Sequence, residues 1–225
     1  MGQGISEVLP FAIGIAIVPI PVIAVIVMLF SSRARVNGPV FLLGWVTGLA
    51  VVFAVVFALA DAGDASTDST ASDTVSWLKI LLGAALLLLA GRSWRKRPAP
   101  GVEPAMPKWM AGIDSLAVGK AFGLGALLAS ANPKNLILVV GAATGLAQLG
   151  LATGEVVVSA VVFVAVASLT VGGPVVYYFV GGEHAKSSLE ELKAWLITHY
   201  EAVMTVLFLV FGVVLISKGL APLTG

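Results

Sequence analysis

The chain has 225 residues, of which 59% are hydrophobic and 11% charged, with a mean hydropathy of +1.03 and a formal net charge of +1. A soluble domain carries about 25% charged residues, so this composition excludes a water-soluble globule and predicts an all-α, polytopic membrane protein. The near-neutral charge excludes a nucleic-acid partner, which needs a basic face to neutralise phosphates, and the absence of cysteine excludes disulfide exchange, thiolate metal sites and thiol relays.

Six apolar segments, about 8–30, 39–60, 76–91, 121–147, 156–180 and 195–216, are each long enough, or nearly so, for a hydrocarbon core of roughly 30 Å. The first lacks a basic flank and is long enough to span, so it reads as a span and not as a cleaved signal peptide. It contains Ile17-Val18-Pro19-Ile20-Pro21. Pro19 and Pro21 predict interrupted backbone near mid-span, the alternative being a kink without function. In the second segment Gly44 and Gly48 present a small-residue face, as do Gly141 and Gly145 in the fourth, predicting close helix contacts inside the molecule.

The connection after the second segment carries Asp61, Asp64, Asp68 and Asp73 and no basic residue. These lack the alternating spacing and central glycine of a calcium loop, which leaves a solvated hairpin. The third connection, 92–119, is the longest. It begins with Arg92, Arg95, Lys96 and Arg97, and Pro98, Pro100, Pro104 and Pro107 forbid a continuous helix. Trp109, Ile113 and Leu116 recur at i, i+4 and i+7 and predict a short interfacial helix over 108–118, with a plain linker as the alternative.

The fourth segment holds Ala131-Asn132-Pro133-Lys134-Asn135. In the fifth, Gly172, Gly173 and Pro174 predict a hinge or unwound turn, followed by Tyr177 and Tyr178 as an aromatic belt. His184 and His199 read as isolated interfacial residues, not metal ligands.

Arg33 and Arg35, the third connection with Lys108 and Lys120, and Lys186 with Lys193 place the first, third and fifth connections in the cytoplasm. The acidic second connection and the short fourth one, with Glu155, face outward, and so do both termini. The basic connection divides the chain into 1–91 and 120–225, each with three spans. Three is odd, so the second set starts from the opposite side of the membrane, which is inverted topology if the sets are related.

Lys134 is the costliest residue in this pattern. It lies about 14 residues past Lys120, roughly 20 Å along a helix and too deep to snorkel easily. No carboxylate lies deep in a span; Glu7 and Glu201 sit near helix ends, and only Glu201 could reach inward. Three roles stand open for the amine: bonded to carbonyls that the break has loosened, held uncharged, or awaiting an anionic ligand. The third agrees best with a broken helix, whose free amides carry partial positive charge. Asn132 and Asn135 would then donate to the same group, with Pro133, Pro19 and Pro21 opening the backbone.

Six spans, a proline-rich first helix, a basic middle connection and Asn132-Pro133-Lys134 together resemble the LysE transporter superfamily. The run from Lys120 through Ala131-Asn132-Pro133-Lys134-Asn135, with Trp109 and Asp114 upstream, is similar to its GAP or sulfolipid-1-addressing branch. The resemblance implies a bacterial inner-membrane protein that moves glycolipids toward the cell surface, built from two three-helix halves. Amino-acid exporters of the superfamily commonly carry Pro-Gly-Pro in the first helix where this chain has Pro19-Ile20-Pro21, which argues against a small amino-acid cargo.

The function expected is therefore glycolipid transport by alternating exposure of a site between two broken helices. The alternatives are a small-solute exporter and a membrane adaptor that recruits a larger lipid-export complex; a homo-oligomer is compatible with either. There is no Gly-rich Lys-Ser/Thr loop, Glu-x-x-His or paired-aspartate element, so neither a cofactor nor enzymatic activity is expected.

Overall fold

A computed structural model describes residues 2–64, 69–97 and 116–224, and these fold into eight helices. They are α1 (Gly2–Ala16), α2 (Pro19–Leu29), α3 (Ala34–Asp64), α4 (Ser69–Lys96), α5 (Val118–Ser130), α6 (Pro133–Ala147), α7 (Thr153–Val180) and α8 (Gly182–Thr224). Within α3, α4, α7 and α8 the stretches Ala34–Ala62, Val75–Lys96, Thr153–Val180 and His184–Ala221 are each long and apolar enough to cross a bilayer. The chain is a multi-pass membrane protein, all-helical in its described residues.

The other four helices are too short to cross alone, since 11 to 15 residues rise only about 16–22 Å. They are joined as bent pairs, α1 with α2 at 53° and α5 with α6 at 60°, giving up to six spans if each pair is one. Both bends have the same cause. Pro19 and Pro133 occupy the first position of the second helix of their pair, where a missing amide proton is harmless and the fixed φ suits a helix start. Proline also forces the residue before it out of the helical region. Val18 (φ −63°, ψ 118°) and Asn132 (φ −74°, ψ 114°) are accordingly extended in nearly the same way. Pro21 lies in the same first turn of α2, where its amide would have had no partner either.

Two expectations are corrected. The predicted unwound turn at Gly172, Gly173 and Pro174 is absent from this conformation, in which α7 runs unbroken to Val180. Val171, Pro174 and Val175 are buried on one helix face, and packing of that face holds the turn together despite the lost bond. The last segment is also far longer than 195–216: α8 has 43 residues, because Ala185, Leu189 and Leu196 keep a buried stripe running through its polar beginning. That extension lies against the ends of α7 and α2, where Tyr177 Oη donates to Ser188 Oγ at 3.5 Å and the Lys193 ammonium sits 5.4 Å from the Phe30 ring centre. The interfacial helix over 108–118 falls almost wholly outside the described residues, as does Asp68.

Glycines set the closest approaches. A Cβ on Gly44 would strike the Phe122 carbonyl, one on Gly48 the Ala126 carbonyl, and one on Gly125 the Phe41 carbonyl, so α3 and α5 meet backbone to backbone. Gly83 and Gly212 bring α4 against α8 in the same manner, while Gly141 accommodates Phe11 and Leu215. The small-residue faces thus serve internal contacts. α1 packs on α6 and α7, and α6 on α1 and α3. The centre is filled by Phe11, Phe41, Trp45, Phe163 and Phe208.

Candidate functional site

Each broken helix exposes carbonyls that lipid cannot satisfy, and the structure assigns each break its own donor. At the first, Ile17 N still donates to Ile13 O at 3.0 Å, and Thr170 Oγ1 of α7 donates to Ala16 O at 2.5 Å. At the second, Ala131 N donates to Leu127 O at 2.8 Å, Ser130 Oγ to Ala126 O at 2.6 Å and Asn135 Nδ2 to Leu128 O at 2.9 Å. Thr170→Val keeps the shape and removes the donor. It should cost about 1–3 kcal/mol, the penalty of a buried carbonyl left unpaired, read as a lowered unfolding temperature in detergent; an unchanged temperature would mean that the first break is held by packing alone.

On the far side of the second break, Asn132 Oδ1 accepts from Lys134 N at 3.1 Å as a side-chain cap, and Asn132 O accepts from Leu136 N at 2.9 Å. Asn135 is wholly buried; its amide group is committed to Leu128, and its Oδ1 has no hydrogen-bond partner among the described residues. Both asparagines therefore shape the break, and Asn135 turns an acceptor, not a free donor, into the interior.

Lys134 points away from this network. Lys134 lies in the first turn of α6, and its Nζ donates to Tyr200 Oη of α8 at 2.6 Å. The ammonium also lies 5.0 Å from the Tyr200 ring centre and 5.2 Å from that of Phe208, contacts worth about 0.5–2 kcal/mol each. Glu201 attracts it and Lys96 repels it, yet no carboxylate reaches ion-pair distance among the described residues. The arrangement is a half-buried cation held by a neutral hydroxyl and two aromatic faces, with donor capacity left for an anion.

The expected site residues are only partly brought together. Asn132, Pro133, Lys134 and Asn135 form one unit, but Pro19 and Pro21 belong to α2, which packs on α3, α7 and α8 instead of α6. The wall facing Lys134 is α8, whose Tyr200 and Phe208 the sequence reading did not single out. A lone tyrosine in the apolar part of α8 was the one available signal. His199, beside it, stacks on Trp195 with ring centres 4.6 Å apart.

Two apolar grooves open on the outside of the bundle. One, of about 570 Å³, lies between α3 and α7 along Phe53, Phe57, Val161 and Val164. The other, of about 620 Å³, runs between α1 and α8 from Trp195 and His199 past Val206 to Pro10 and Phe211.

The profile of one protein family, described as Sap, sulfolipid-1-addressing protein, matches residues 8–221. No curated protein and no solved structure matches.

Proposed function

The chain belongs to the sulfolipid-1-addressing protein family, and on that premise we propose that it moves an anionic or polar glycolipid of the cell envelope across the inner membrane. The observation that carries this reading is Lys134: an ammonium beside a broken helix, engaged by Tyr200 and aromatic faces and, among the described residues, by no carboxylate. A cation so placed is costly unless it serves a ligand. The groove on α8 that begins at His199, next to Tyr200 in sequence, gives acyl tails a place in the hydrocarbon while the headgroup sits on Lys134.

In this reading the bent pairs are spans, and the molecule is a LysE-like pair of inverted three-helix repeats with its basic connections in the cytoplasm and both termini outside. Two features support the pairing. The breaks share their proline position and cap dihedrals. The helix neighbours also exchange when the halves are exchanged, α1 on α7 answering to α5 on α3, while α3 on α7 and α4 on α8 pair across the divide. Such repeats permit alternating access by rocking one half against the other.

The test is a surface-lipid profile of cells lacking the protein, complemented with the native chain or with Lys134→Ala. A defined anionic or glycosylated lipid should vanish from the surface and return only with the native chain. Full rescue by Lys134→Ala would remove the lysine from the cargo site, and saturable solute flux in vesicles without lipid movement would favour a small-solute exporter.

A further inference from the structure

A second group of buried charges lies at the opposite end of α6 and α8. Lys79 of α4 is 4% exposed, and its Nζ donates to Oε1 of Gln148, the residue that caps α6, at 2.5 Å. Lys218 of α8 is ion-paired with Glu7 of α1. The Glu7 carboxylate rests against Gly145, since a Cβ there would strike it. Lys79 feels both the attraction of Glu7 and the repulsion of Lys218, so the three charges act as one set.

Among the described residues, one carboxylate for two ammonium groups leaves the set with an excess of one positive charge. Lys218 takes the carboxylate, and among the described residues Lys79 has one hydrogen-bond acceptor, a neutral amide, for three donor protons. A buried cation, here without an ion-pair partner among the described residues, carries a desolvation cost of several kcal/mol, and an oxyanion lodged between the lysines would relieve it.

The place is also significant. Lys134 and Gln148 are separated by about 21 Å of α6, and between them Leu138 and Gly141 are closed over by Phe11, Phe211 and Leu215. That layer admits no anion without rearrangement. A cargo released from Lys134 into the other half of the bundle would next meet Lys79 and Lys218.

We propose that Lys79, Lys218 and Gln148 form a second binding site for an oxyanion, a sulfate, phosphate or carboxylate group, which displaces Glu7 from Lys218 and receives the headgroup after it leaves Lys134. The route rests on the transport reading above; the site itself rests on the charge set alone. Glu7 acts as the built-in competitor, holding α1 to α8 while the site is empty.

The test uses the full chain in phosphatidylcholine nanodiscs, titrated with sulfatide, a sulfated glycolipid, or with inorganic sulfate, and counts bound ligands by native mass spectrometry. The native chain should bind two sulfatides, and Lys79→Met and Lys134→Met should each bind one. Glu7→Gln, which retains a hydrogen-bonding group, should tighten the second event about tenfold, equal to ~1.4 kcal/mol. Competition by inorganic sulfate at the second event would assign the site to free oxyanions; none would assign it to the lipid headgroup. Two events unchanged by Lys79→Met, or a second event weakened by Glu7→Gln, would overturn the proposal. A single native event lost only with Lys134→Met would sink this site and leave the transport reading intact, and the converse would sink Lys134 and leave this site. If Lys79→Met does not fold, the Glu7→Gln titration decides alone.

Discussion

Lys134→Met is expected to weaken binding of an anionic lipid by at least about thirtyfold, the loss of ~2 kcal/mol that one hydrogen bond to a charged group is worth. Tyr200→Phe should do the opposite. The Tyr200 hydroxyl takes one of the three donors of the ammonium in the empty site, so removing it adds a donor to those already open to a cargo oxygen. Affinity should then rise by up to about tenfold, the net value of a neutral hydrogen bond at ~0.5–1.5 kcal/mol, while the empty protein becomes less stable by a similar amount. The opposed signs separate a binding role from a structural one. If Lys134 serves only to tie α6 to α8, both substitutions break the same tie and must lower the unfolding temperature alike without altering sulfatide binding in nanodiscs. Lys134→Arg keeps the charge but replaces a compact ammonium by a planar fork, and should fall between the native chain and Lys134→Met.

The break at residue 133 was legible because proline acts locally: it removes one amide proton and restricts one neighbouring residue, whatever the surroundings. The same was true of Pro19, and the structure gives the residue before each proline nearly the same extended backbone. What the sequence could not disclose was the partner of each freed group. Thr170 lies 154 residues from Ala16 and Tyr200 66 from Lys134, and an inter-helix hydrogen bond leaves no periodicity. Lys79 and Lys218 escaped notice for a related reason. Each lies at the margin of an apolar segment, where lysine ordinarily reaches water, and only the packing of α4 on α8 and the contact with α6 turn those margins inward. At Gly172-Gly173-Pro174 the local signal for an unwound turn was overruled by the buried face of Val171, Pro174 and Val175, which keeps α7 continuous.

Two substitutions on one helix test how far the site depends on close backbone contact. Gly123 and Gly125 both lie in α5, and helix propensity alone predicts that alanine at either should stabilise by up to about 1 kcal/mol. Packing predicts that they part. A Cβ at Gly123 meets nothing within 4 Å, whereas one at Gly125 strikes the Phe41 carbonyl and presses on Trp45 N. Backbone atoms have no rotamer to retreat into, so Gly125→Ala must push α5 off α3, at a cost near the upper end of the ~1–3 kcal/mol typical of overpacking, a drop of roughly 6–12 °C in unfolding temperature for a chain of this size. Gly123→Ala should leave the temperature unchanged or raise it slightly. The displacement also reaches the site, because α5 ends at Ser130 and delivers the chain directly to Asn132 and Lys134. Gly125→Ala should therefore weaken sulfatide binding in the fraction that remains folded, and Gly123→Ala should not. Equal thermal behaviour of the two variants would mean that α3 and α5 yield to one another easily, and that the position of Lys134 is set by α1 and α8 instead.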